Sequence, residues 1–314
     1  MQVRNSKLKF LDYFFVLRPS ILVPVWAFFF AGVFKASQVK DLSLNHFSPS
    51  PKILIYFLAF TLVMGAVYIL NQIFDRETDK QNDKLYFLSE GIISVKNASI
   101  EIFILLGISF FLSSFMNLNG IILLILLTIL GIFYSVPPIK LKARPIFDLL
   151  ANALAYGTIS FLAGWNSVTE FALEDLIFSV PSFFCAGAVF LNTTFLDYEG
   201  DKKTNQITSA VFFGQTKVLL FALFLLILGI VSAIYLQEFV SLGMGLISFF
   251  FFYKAFSTKT QEWTLKSVLF GTESYTVISA LIFPYFLFFL LVIFLLTKFY
   301  YKSRFGLNYP KLTK

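Results

Sequence analysis

Apolar residues fill this chain in long stretches separated by short polar loops. Stretches near the ~20-residue length that crosses the hydrocarbon of a bilayer fall at Ser20–Phe34, Ile53–Phe74, Ala98–Met116, Ile121–Val136, Phe147–Trp165, Leu176–Leu196, Val218–Leu236, Phe239–Phe252 and Tyr275–Leu296. The fourth and eighth are the shortest. The pattern predicts an all-α polytopic membrane protein with about nine transmembrane helices. No long linker and no separate soluble segment interrupt it. Residues 1–314 therefore read as one intramembrane domain, with 1–18 as a cytoplasmic amino terminus and 297–314 as a basic tail. The first apolar run follows basic residues but lacks a clear small-residue cleavage site, so it reads as a retained helix.

Composition agrees: 58% of the residues are hydrophobic, 14% are charged, and the mean hydropathy is +0.79, which excludes an ordinary soluble domain. The net charge of +7 does not point to nucleic acid, because the basic residues sit in the loops between spans. With the amino terminus in the cytoplasm, nine spans put seventeen Lys/Arg inside and eight outside; five of those eight lie in the tail after Thr297. The expected setting is the cell (inner) membrane, with the active face toward the cytoplasm. The single Cys185 excludes an internal disulfide framework and a cysteine metal site, and the single His46 excludes haem held by a histidine pair. Cys185 itself reads as a small packing residue. Trp26, Trp165 and Trp263 lie near span ends, where interfacial anchoring is expected.

Two acidic clusters change the picture. Asn71, Asp75 and Asp79 are four apart and follow the second run; Asp197 and Asp201 are four apart and follow the sixth. Residues four apart share a helix face, so each set forms a stripe at a membrane edge, and the topology puts both stripes on the cytoplasmic side. Between them lies Tyr134-Ser135-Val136-Pro137-Pro138, with Lys140, Lys142 and Arg144 at alternate positions after it. Proline cannot continue a helix, so the Pro-Pro pair ends the fourth span. Carboxylates at the edge of hydrocarbon are costly and mark function. Two facing stripes can hold two Mg²⁺ ions that bridge a diphosphate, with Lys140, Lys142 or Arg144 on the remaining phosphate oxygens. The far end of such a diphosphate has to suit a membrane, and a polyprenyl chain does. Its ionisation gives an allylic cation, which the faces of Tyr134 and Tyr198 can stabilise. Glu77 and Glu199 lie off the stripes and read as solvated.

Asn71…Asp75…Asp79 with Gly91-Ile92-Ile93-Ser94 downstream, Asp197…Asp201, and Tyr134-Ser135-x-Pro137-Pro138-x-x-Leu141-Lys142 together resemble the motifs of the UbiA superfamily of intramembrane prenyltransferases. That superfamily includes 4-hydroxybenzoate polyprenyltransferase and chlorophyll synthase. Arg18-Pro19 is similar to the family's opening motif. Lys84-Leu85 stands where the family often has Arg-Pro, Gln72 where it often has Asp, and Leu196 where it often has a basic residue. The resemblance implies nine helices around a central cavity and two Mg²⁺ on Asp75, Asp79, Asp197 and Asp201. It implies Mg-dependent transfer of a prenyl group from a prenyl diphosphate to an acceptor. Asn71, Arg18, Lys140, Lys142, Arg144 and Tyr198 then bind substrate, and Tyr134 joins the aspartates in catalysis. An aromatic acid, a quinone precursor, a chlorin, a sugar phosphate and a glycerol phosphate ether all remain open as acceptors. The rival reading is an ion-coupled transporter, which expects its acids near mid-membrane; a non-catalytic lipid-binding scaffold is a third.

Overall fold

A computed structural model describes residues 9–81 and 86–309; Arg4, Lys7, Asn82, Lys84 and Leu85 lie outside the described residues. A short helix α1 (Phe10–Phe15) leads into α2 (Pro19–Val39). Then come α3 (Pro51–Gln81), the single turn α4 (Tyr86–Ser89), α5 (Val95–Ser113) and α6 (Leu118–Ser135). The fifth crossing is composite: α7 (Phe147–Asn152), a π-helical stretch over Ala153–Ile159, and α8 (Ser160–Val168). The sixth opens with a 3-10 stretch, Leu173–Ser179, and continues as α9 (Val180–Lys203). A short α10 (Ser209–Phe213) precedes α11 (Gln215–Leu236), α12 (Phe239–Thr258), α13 (Gln261–Ile282) and α14 (Pro284–Phe305). There is no strand among the described residues. In hydrocarbon, only a helix or a closed barrel pairs all of its own backbone groups.

Nine helices among the described residues are long and apolar enough to cross a membrane. Eight of them correspond to the first eight apolar runs. The ninth run, Tyr275–Leu296, is not one helix. Pro284 has no N–H to give, so one helix stops at Ile282 and another begins with Pro284 in its first turn. The apolar α14 is the ninth of the set. α13, equally long, is too polar to stand out. Its polar side chains face inward: Ser267 Oγ accepts from Asn192 Nδ2 at 2.7 Å, Tyr275 and Ser182 share a hydrogen bond of 2.8 Å, and Ser279 Oγ donates to the Ala27 carbonyl at 3.1 Å. Such bonds join helices inside a membrane.

With α13 included, the described chain passes between the two faces of the bundle ten times. Its ends meet on one face, where Arg304 at the end of α14 pairs with Asp12 in α1 at 2.9 Å. Nine spans would have left the basic tail opposite the amino terminus; Pro284 reverses the chain and brings Arg304 back. The opposite face carries Lys40 paired with Asp175 at 2.9 Å and His46 Nδ1 against the Ile282 carbonyl at 2.9 Å.

The core lies where α2, α3, α8, α9 and α13 converge. α2 and α8 touch backbone to backbone at Gly32 and Gly164. A Cβ on either would stand 1.8 Å from a carbonyl oxygen of the other helix, at Phe161 and Phe29 respectively. Small residues at a helix crossing permit this approach. Trp26 and Trp165 are not interfacial anchors. Trp26 is 3% exposed and donates to Thr61 Oγ1 at 2.9 Å, and Trp165 is fully buried against Phe178. Trp263 does sit at a helix start, with the Lys266 ammonium 4.5 Å over its ring. Cys185 is fully buried, as a packing residue should be.

Candidate active site

α3 runs unbroken to Gln81 and α9 to Lys203, so each acidic stripe stays on one helix face. The stripes meet across a cleft of about 420 Å³ at the face that also carries both chain ends. Asn71, Asp75 and Asp79 line it from α3, Asp197 and Asp201 from α9, and Tyr134 and Lys142 from the α6 end and the turn after it. Asn71 Nδ2 donates to Ser135 Oγ at 3.3 Å, which ties the first stripe to the end of α6. Thr208 Oγ1 donates to Asp201 Oδ2 at 3.0 Å.

Helix α6 ends at Ser135, and after the two prolines a tight 3-10 turn spans Leu141–Ala143. The turn spreads the three cations apart. Lys142 points into the cleft, is 6% exposed, and pairs with Asp75. Burial pulls its ammonium below the ordinary lysine range, and the Asp75 charge restores part of that. Lys140 starts the turn in a left-handed conformation (φ 39) and does not line the cleft. Arg144 is exposed and donates to the Pro138 carbonyl at 3.0 Å. Tyr198 lies about 100° around α9 from Asp197; it packs on the core, with the Lys202 ammonium 5.9 Å over its ring. Lys140, Arg144 and Tyr198, expected from the sequence to bind substrate, are not among the residues that line the cleft. Glu77, with its side chain 81% exposed, pairs with Arg76 at 3.1 Å.

Two further cavities open beneath the cleft. One, of about 230 Å³, shares Asn71 and Tyr134 with it and contains Arg18, Tyr68, Asn152 and Tyr156. The hydroxyls of Tyr68 and Tyr156 are hydrogen bonded, and Tyr68 also donates to the Ile21 carbonyl at 3.2 Å. The other, of about 250 Å³, shares Phe190 and Thr193 with the cleft and is otherwise almost wholly apolar, with Phe28, Met244 and Tyr275 at its deep end. Asn152 and Tyr156 line both. The π-helical stretch carries Tyr156; such stretches are frequent at functional sites. The sequence reading missed Tyr68, Asn152 and Tyr156. The available signal was weak: Tyr68 lies three residues before Asn71, and Asn152 and Tyr156 are four apart in an apolar run.

The cleft's donors are carboxylate, amide and hydroxyl oxygens, which suit a hard divalent cation. Among the described residues, no three acidic side chains enclose one point by themselves. A cation held by one or two carboxylates completes its shell with water and phosphate oxygens, the usual habit of Mg²⁺. The residues fit such an ion.

Fold and site define an intramembrane protein with a polar cleft at one rim and two cavities below it. Residues 25–271 match the UbiA prenyltransferase family, and the chain belongs to that family. A UbiA homologue from Archaeoglobus fulgidus, solved bound to GPP and Mg²⁺, superposes with a TM-score of 0.65 at 22% identity, covering 88% of this chain and 98% of that one. A digeranylgeranylglyceryl phosphate synthase gives 0.62 at 19% identity, covering 85% and 97%. A 2-acylphloroglucinol 4-prenyltransferase of Humulus lupulus is 28% identical over 202 residues, or 59% of this chain. The chain spans about half (49%) of that relative's length.

Proposed function

We propose that this protein transfers a prenyl group from a prenyl diphosphate to a small oxygen-bearing acceptor and releases diphosphate. The observation that carries the reading is the meeting of two aspartate stripes across one cleft, directly above an apolar cavity and a polar one. The diphosphate lies in the cleft. Asp75 and Asp79 would hold one divalent cation and Asp197 and Asp201 a second, with Mg²⁺ the natural choice. When bound, the cations neutralise the charge that develops on the leaving diphosphate. Lys142 supplies a further positive charge, and Asn71 orients the group by hydrogen bonding. The prenyl tail occupies the apolar cavity. Tyr134, which lines both the cleft and the polar cavity, turns its ring toward the carbon left electron-poor.

The acceptor occupies the cavity of Arg18, Tyr68 and Tyr156. A cavity of about 150 Å³ takes benzene, so the 230 Å³ here suits one substituted ring. Arg18, the tyrosine hydroxyls and Asn152 offer partners for its oxygens. The Humulus lupulus relatives, 2-acylphloroglucinol 4-prenyltransferases, agree with this size class. The transporter reading has no comparable support, since the acids stand at the rim. The active face is cytoplasmic: Lys298, Lys302 and Arg304 join the basic residues of the acidic face, leaving Lys35, Lys40 and Lys52 opposite.

The test uses purified protein in lipid nanodiscs with a labelled prenyl diphosphate and a panel of single-ring phenols and aromatic acids. Release of diphosphate together with a prenylated product, lost on adding EDTA and restored by Mg²⁺, is the expected result. Full turnover in metal-free buffer would overturn it.

A further inference from the structure

The family match covers residues 25–271, yet the structure adds built pieces on both sides of it: α1 before, and α14 after. They meet. Asp12 is fully buried in α1 and accepts from Arg304 through both Nε (3.0 Å) and Nη2 (2.9 Å). It also accepts from the Tyr300 hydroxyl and from the Lys9 backbone N–H at 2.8 Å. Burial alone would raise the Asp12 carboxyl, but the bonds from Arg304 and Tyr300 outweigh it and hold it below the ordinary range. Phe15 stacks on Tyr300 with ring centroids 3.8 Å apart.

The opposite side of α1 is gripped by the helix that carries the first aspartate stripe. Gln72, between Asn71 and Asp75, donates to the Val16 carbonyl at 2.8 Å. Asn97 of α5 donates to the Tyr13 hydroxyl at 3.1 Å. From Asp12 the backbone continues without slack to the acceptor cavity. Val16 N–H bonds to the Asp12 carbonyl at 3.0 Å, and Arg18 N–H to the Phe15 carbonyl at 3.1 Å. Arg18 then stands at φ 58, in the left-handed region that a residue with a Cβ rarely adopts. Such a conformation persists when the surroundings over-determine it. Here they do so from two sides.

We infer that α1 and the end of α14 form a clamp that sets Arg18 in the acceptor cavity, with Arg304 and Asp12 as positioning residues that touch no substrate. This rests on the reading that Arg18 meets the acceptor. The clamp couples the last turn of α14 to α1, and that coupling needs the tenth passage through the bundle.

Hydrogen exchange over residues 9–18 and steady-state kinetics, both in nanodiscs, test it. The variants are Arg304→Met, the double Asp12→Asn/Arg304→Met, Arg304→Lys and Tyr300→Phe. The double variant leaves no lone buried charge, and Tyr300→Phe removes one hydrogen bond while keeping the ring stack. Arg304→Met and the double variant should speed exchange over 9–18 and raise the acceptor KM about tenfold, with KM for the prenyl diphosphate within about twofold of wild type. Arg304→Lys should restore most of the affinity, and Tyr300→Phe should move both readouts in the same direction by less. If Arg304→Met and the double variant do not fold, Tyr300→Phe decides alone. Faster exchange with an unchanged acceptor KM would overturn the inference, as would unchanged exchange. If the wild type transfers no prenyl group, the functional proposal fails, and exchange over 9–18 still reports on the clamp.

Discussion

Asp75→Asn keeps the shape of its side chain and deletes one charge from the cleft. The carboxylate is 18% exposed and lines the same cleft as the second stripe. Removing one preorganised electrostatic partner from such a site costs on the order of a hundredfold in kcat, or about 2.7 kcal/mol. The structure adds a complication: Lys142 is buried and paired with Asp75, so the single change also strands a lysine. The change keeps the side chain's shape at a cleft open to solvent, so the fold should survive. Lys142→Met and the double variant separate the two effects. Lys142→Met alone should raise KM for the prenyl diphosphate. The double variant should recover any stability lost in Asp75→Asn but not its kcat. Glu77→Gln and Glu199→Gln remove similar charges from exposed positions, where an ion pair contributes roughly 0–1 kcal/mol to stability, and should leave kcat within about threefold. The assay is single-turnover release of labelled diphosphate at saturating Mg²⁺, with thermal unfolding measured in parallel. Recovery of kcat in the double variant would show that the damage ran through Lys142. Glutamate variants as impaired as Asp75→Asn would reduce the effect to general surface charge. A silent Asp75→Asn would refute the metal reading.

Three further outcomes follow from the geometry. Because burial lowers the Lys142 pKa, its cation is lost at a pH below the ~10.4 of a free lysine; KM for the prenyl diphosphate should climb as pH rises before that point, and Lys142→Arg, whose guanidinium stays charged, should flatten the climb. Gly32→Ala drives a Cβ to 1.8 Å from the Phe161 carbonyl oxygen and should cost at least ~1–3 kcal/mol or prevent accumulation of folded protein, whereas Gly107→Ala, with nothing within 4 Å, should be neutral in a thermal unfolding scan. Met244→Ala deepens the apolar cavity and should shift kcat/KM toward longer prenyl chains; unchanged ratios across a chain-length series would reject that cavity as the tail site.

The helices, their membrane setting and both aspartate stripes were legible in the sequence because they are local facts. A run of apolar residues in lipid has few structures other than a helix, and a four-residue spacing fixes a shared face before any packing is known. Contacts between distant segments were not legible. α13 hides from hydropathy because its serines and threonines bond to other helices, as Ser267 does to Asn192 and Ser279 to Ala27. Trp26 and Trp165 sit near the ends of runs yet are buried, because neighbouring helices cover them. Lys140, Lys142 and Arg144 look alike along the chain, and only the turn after the prolines turns Lys142 inward. Arg18, Tyr68 and the pair Asn152 and Tyr156 come from three separate segments and acquire a common cavity only when those segments pack. The sequence by itself determined which groups can do the chemistry; tertiary packing decided which of them meet, because residues far apart in the chain come together only through the crossing of helices.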